Sequence, residues 1–180
     1  MTRTYISIMP EQGLISQFKF DKYANQIYRS VMPNGCYDDE NSVIGQWRSL
    51  NIDYVICLCP KSEFLRKAVK EQDDIYGKHY KYINYPIQNY KCPNDFSDMK
   101  NLLQILHNLL ENGKKILIHC SAGIGRTGLF LSCFLLHLGY NSQDAVSITK
   151  TNIIKSFTNP LQNQYFIDFH KYHTDLDLYQ

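Results

Sequence analysis

The stretch Ile116-Leu117-Ile118-His119-Cys120-Ser121-Ala122-Gly123-Ile124-Gly125-Arg126-Thr127-Gly128 decides the reading of this chain. It predicts a buried strand, a tight loop and the start of a helix. A loop that curls into a helix start aims several backbone N–H groups at one point, and the helix dipole adds positive potential there. Gly123 and Gly125 let the backbone take positive φ and approach an anion closely. Arg126 offers a planar fork that two phosphate oxygens can share, which a lysine cannot do. In the same field, Cys120 should titrate low and stand largely as a thiolate. Ser121, Ala122, Gly123, Ile124 and Gly125 supply backbone donors to a bound phosphate. The arrangement suits in-line attack by a thiolate on a phosphate monoester, followed by hydrolysis of a cysteinyl-phosphate.

Outward from this loop, strands and helices alternate. Apolar runs at Tyr54 to Leu58 and 115–119 predict fully buried, parallel strands, with shorter strands at 17–20, 26–30 and 80–85. Helical periodicity covers 41–50, 62–76, 95–112, 126–138, 142–150 and 160–172. On 62–76 the expected inner face is Phe64, Leu65, Ala68 and Val69. The order implies an α/β fold, with a central, mostly parallel sheet flanked by helices and a site at the strand C-terminal ends. The length of 180 residues fits a single domain over 1–180, with residues 1–16 as an N-terminal arm.

A net charge of +2 gives no argument for nucleic acid or an anionic membrane as partner. No apolar run approaches 18 residues, and the N-terminus lacks the apolar core of a signal peptide. The six cysteines fall at 36, 57, 59, 92, 120 and 133, with no disulfide framework and no zinc spacing. No metal and no cofactor are expected. A thiolate nucleophile needs reducing surroundings, so the expected location is cytoplasmic. The oligomeric state is left open.

His119-Cys120, the five-residue gap, Arg126 and Thr127-Gly128 resemble the signature of cysteine-dependent protein tyrosine phosphatases. Ile27 to Ser30 with Met32-Pro33, and Leu50 to Ile56, look like the opening of the compact dual-specificity members. The layout of Cys59 to Glu63, Tyr85-Pro86-Ile87 and Pro160-Leu161-Gln162 is similar to the kinase-associated phosphatase branch. The resemblance implies a phosphoprotein substrate, Cys120 as nucleophile and Arg126 as ligand of the substrate and transition-state oxygens. It implies that Thr127 helps the cysteine leave, that His119 orients the loop and that Gln162 lies near the pocket. It places Cys59 where some relatives carry a cysteine that forms a disulfide with the nucleophile; the other reading is a small core residue. The uncharged side chains of Ser121, Ala122 and Ile124 favour a singly phosphorylated protein side chain over a polyphosphoinositide.

One position departs from the pattern. The family protonates the leaving oxygen with an aspartate just after a strand, and counting from Tyr85-Pro86-Ile87 that place is Asn89. Asp95 follows and could reach over the pocket, or could cap helix 95–112. Two functions are therefore open: a phosphatase acting on phosphotyrosine, with phosphoserine and phosphothreonine as further substrates, or a weakly active or inactive phosphoprotein-binding module.

Overall fold

The computed structural model describes residues 13–38, 41–77 and 79–177. The chain runs β1 (Ile15–Gln17), β2 (Ile27–Ser30), α1 (Val43–Ser49), β3 (Tyr54–Cys57), α2 (Lys61–Ala68), α3 (Gln72–Tyr76) and β4 (Lys81–Asn84). It continues through α4 (Phe96–Glu111), β5 (Ile116–His119), α5 (Gly125–His137), α6 (Ser142–Asn152) and α7 (Pro160–Asp177). The strands form one sheet in the order β1-β2-β5-β3-β4, parallel except for β1 against β2. This is the α/β fold expected from the sequence.

All four residues of β5 and all four of β2 are buried, so both faces of the sheet are covered. The rings of Trp47, Phe64 and Tyr76, from α1 to α3, gather around His119. Helix α5, buried on nearly every side, packs against α4, α6 and α7. The register pairs Ser30 with His119 and Cys57 with His119, so β2, β5 and β3 end at one level. Three backbone bonds continue the ladder past that level. Met32 N–H donates to Ser121 O at 2.9 Å, Leu58 N–H to His119 O at 2.9 Å, and Ile87 N–H to Leu58 O at 3.0 Å. The loop after β5 is therefore fixed by its neighbours on both sides.

Three details differ from the sequence reading. The periodic segment 62–76 is two helices, because Val69 turns left-handed at φ 55° and ends α2. Its buried face is Glu63, Phe64 and Ala68, while Leu65 is exposed and Val69 is 82% exposed. The first strand is Ile15–Gln17 rather than 17–20, so residues 15 and 16 belong to the sheet and not to an arm. Residues 1–12 of the expected arm lie outside the described residues.

Candidate active site

Cys120 follows directly on β5 and lies at the wall of a cavity of about 290 Å³. Burial alone would raise its thiol. The Arg126 guanidinium, the hydroxyl and N–H of Thr127 and the Ile124 N–H outweigh that, and hold it below its ordinary range. The Thr127 hydroxyl, fully buried, has no nitrogen or oxygen partner among the described residues and stands beside the sulfur. Gly123 makes the curl possible, whereas Gly125, the first residue of α5, does not take the positive φ expected of it. The φ of Gly123 is +68°, and a Cβ there would sit 2.3 Å from the Ser30 carbonyl oxygen. Gly128 serves closeness instead, since a Cβ would come within 2.7 Å of Ser156 Cβ.

Arg126 is buried, and its fork is aimed by fixed partners. Nη1 donates to Glu63 Oε2 at 2.7 Å and to Ile87 O at 2.9 Å, and Nη2 donates to Glu63 Oε1 at 3.0 Å. A guanidinium has five N–H groups. The two that remain, on Nε and Nη2, share one edge. That edge is a ready fork for two phosphate oxygens. Burial opposes the charge on Arg126, but the Glu63 carboxylate keeps it protonated. Burial also pushes the Glu63 carboxyl up, yet the bonds from Arg126 and Lys67 hold it at about 2.

His119 is a support. Its Nδ1 can only donate to the Cys120 carbonyl oxygen, 2.9 Å away, so in the neutral ring Nε2 accepts from the Tyr76 hydroxyl at 2.6 Å. The ring is fully buried and does not face the cavity. Gln162 is buried at the cavity wall, and its Nε2 donates to Lys91 O at 3.1 Å. Asn89 and Tyr90 form the outer edge, with Tyr37 on the wall.

The structure does not bring Asp95 to this cavity. Asp95 is exposed and caps α4, its carboxylate accepting from Ser97 N–H at 2.6 Å and Asp98 N–H at 3.1 Å. Bonds from Ser97 and Asp98 hold it below the usual carboxylate range, so it stands ionised and has no proton to give. Of the two sequence readings, the cap is the one the structure shows. Among the described residues that line the cavity, none is an aspartate or glutamate. Cys59 is fully buried beyond β3 and, like Cys120, a free thiol. The neighbouring Cys57 sulfur and burial push it well up.

The sequence reading gave no role to Glu63 or Lys67. They form an i,i+4 pair, which on a helix usually marks solvent; the signal of a site was Glu63 beside Phe64 on the buried face of α2. The uncharged side chains noted in the sequence are those of the loop alone. The loop itself adds no second cation, but Lys67 from α2 and Lys155 from the α6–α7 turn both line the cavity. Among the described residues, no group of three or more His, Cys, Asp or Glu could hold a metal ion. No helix among them is long and apolar enough to cross a membrane.

A family model described as "Swiss Army Knife protein, DSP-PTPase phosphatase domain" matches residues 25–164. The chain belongs to the DSP-PTPase family. Members of this family are cysteine-based hydrolases of the protein tyrosine and dual-specificity phosphatase type. Cyclin-dependent kinase inhibitor 3 of Sus scrofa is 32% identical over 93 residues, covering 51% of this chain and 43% of the relative. Tyrosine-protein phosphatase CDC14 of Saccharomyces cerevisiae is 28% identical over 110 residues, covering 61% of this chain and 18% of that one. The chain therefore spans less than half the length of these relatives. Kinase associated phosphatase, solved with its catalytic-site cysteine replaced by serine, superposes with a TM-score of 0.73. It is 20% identical, over 82% of this chain and 87% of that one, and shows the shared DSP-PTPase fold.

Proposed function

We propose that this chain is a protein phosphatase that hydrolyses phosphotyrosine, and more slowly phosphoserine and phosphothreonine, through a cysteinyl-phosphate. The observation that carries this reading is the pairing of a lowered Cys120 thiol with the open edge of the Arg126 fork. Cys120 Sγ attacks phosphorus while the ester P–O bond breaks, and the oxygen leaves with the bonding pair as phenolate or alkoxide and takes a proton from solvent. Water then attacks the same phosphorus, gives up a proton to solvent and breaks the S–P bond, releasing phosphate and the thiolate, whose charge the Thr127 hydroxyl stabilises. Arg126 and the loop N–H groups hold the three equatorial oxygens throughout. Neither step calls on a metal ion.

The outer edge of the cavity supports the preference for phosphotyrosine. Tyr37 and Tyr90 both line the cavity. Asn89 stands where the family places its acid, and an amide cannot protonate a leaving oxygen. A phenolate departs unassisted far more readily than an alkoxide, so the missing acid penalises serine and threonine esters more. Loss of general acid catalysis costs about 10²–10⁴-fold without preventing attack. The same Asn89 favours a second reading, in which the domain mainly binds phosphoproteins. The nucleophile, which such a module has no need of, supports the first. A reducing compartment such as the cytosol suits that thiolate, and Cys59 is the proposed partner if it oxidises.

Turnover of an aryl phosphate by the purified protein tests both readings. Hydrolysis that survives a chelator, stops with vanadate and is lost in Cys120→Ser supports the enzyme. Phosphopeptide binding without turnover supports the binding module.

A further inference from the structure

The positive charge of Arg126 is largely spent before any substrate arrives. Glu63 meets it through two bonds, of 2.7 and 3.0 Å, and cancels it at short range. A phosphate monoester brings up to two negative charges to a loop whose cysteine already has to be a thiolate. Loop N–H dipoles offset part of this. Arg29 lies behind the loop, buried and turned to Ser16 Oγ at 2.7 Å and Gly13 O at 2.9 Å. Lys155 stands exposed at the rim.

Lys67 is placed differently from either. Its Nζ donates to Glu63 Oε1 at 2.7 Å and to Ser121 Oγ at 2.9 Å, and its side chain is 24% exposed at the cavity wall. The bonded group Lys67–Glu63–Arg126 thus carries one net positive charge, and without Lys67 it would carry none. Ser121 is fixed by the same bond. Because its oxygen accepts from Lys67, its own O–H points elsewhere, and it meets no acceptor among the described residues. Ser121 itself lines the cavity.

We infer that Lys67 is a substrate-binding residue: it charges the cradle for doubly charged phosphate monoesters and, through Ser121, sets a hydroxyl donor toward the bound phosphate. The inference rests on the phosphatase reading and names the ligand class of the same site, dianionic tetrahedral oxyanions. It also gives the Ser121 side chain a part that the loop's backbone role alone does not.

Calorimetric binding of inorganic phosphate at pH 8, where the dianion dominates, tests it without relying on turnover. Lys67→Met should weaken binding about tenfold, the scale of one partly screened charge acting on a dianion. Lys67→Arg should keep affinity within about threefold, because charge is retained. Ser121→Ala should weaken binding as well, and the double variant Lys67→Met/Ser121→Ala should lose less than the product of the two single losses, since the residues act as one unit. Native affinity in both Lys67→Met and Ser121→Ala would overturn the inference, as would equal losses in Lys67→Met and Lys67→Arg. A native protein that binds no phosphate would instead overturn the phosphatase reading itself.

Discussion

The floor of the cavity, residues 119–127, and its outer edge, residues 88–95, differ in how firmly each residue is held. On the floor, His119 has two bonded partners, Ser121 is bonded to Lys67, Gly123 lies against the Ser30 carbonyl, and Arg126 has three fixed bonds. At the edge, Asn89 and Tyr90 are exposed, and the segment is tied through its backbone. Asn159 Nδ2 donates to Tyr90 O at 3.0 Å, and Gln162 Nε2 to Lys91 O at 3.1 Å. On the proposed reading, the floor binds and attacks phosphate. The edge presents an amide and one phenol ring to the cavity, and its acid, Asp95, is turned to the start of α4. The proposed phosphatase would then depend on the floor for rate and on the leaving group itself for departure.

The largest effects are expected on the floor. Arg126→Lys keeps a positive charge but loses the two-pronged edge and the Glu63 pairing, and kcat/KM for an aryl phosphate should fall by roughly 10²–10³-fold. A loss below tenfold would mean that charge alone sufficed. At the edge, Asn89→Asp should restore an acid where the amide now stands. Hydrolysis of phosphoserine and other poor leaving groups should rise by about 10–10²-fold, with activated aryl phosphates changed little. An equal gain for all leaving groups, or none, would show that the edge does not govern departure.

A subtler effect separates the two regions by pH. With Cys120 held below the ordinary thiol value of 9.0, inactivation by iodoacetamide should accelerate with rising pH and reach its midpoint below that value. Arg126→Met should move the midpoint upward, because the leading charge that favours the thiolate is gone. The midpoint of Asn89→Asp should stay close to the native one. The smallest effect is expected at Asp95. Asp95→Asn keeps a capping oxygen, so turnover and its dependence on leaving group should be unchanged. Asp95→Ala should lower the melting temperature while leaving turnover intact.

Much of this was legible in the chain, and what was not has physical causes. The buried run ending at His119 and the glycines after Cys120 fix a strand and an anion-binding turn, because few other structures suit such residues. The break within 62–76 was hidden. Ala68-Val69-Lys70 carries no glycine or proline, and a β-branched residue rarely turns left-handed; the packing of α2 and α3 against the sheet overrides that preference. Glu63 and Lys67 were hidden because charged residues four apart on a helix read as a solvated pair. Only the fold shows that they reach Arg126 and Ser121. Asn89 and Asp95 were the converse case. Their order in the sequence left two homes for Asp95, and the cap geometry at α4 chooses one.

The proposed function stands on Cys120 as carrier of the phosphoryl group between substrate and water. Quenching the protein with acid during turnover of an aryl phosphate, and mapping its peptides by mass, tests that step. A phosphoryl group is expected on Cys120, present during turnover, gone once substrate is exhausted and absent in Cys120→Ser. Undiminished turnover in Cys120→Ser, with no phosphorylated cysteine in the native protein, would contradict that step.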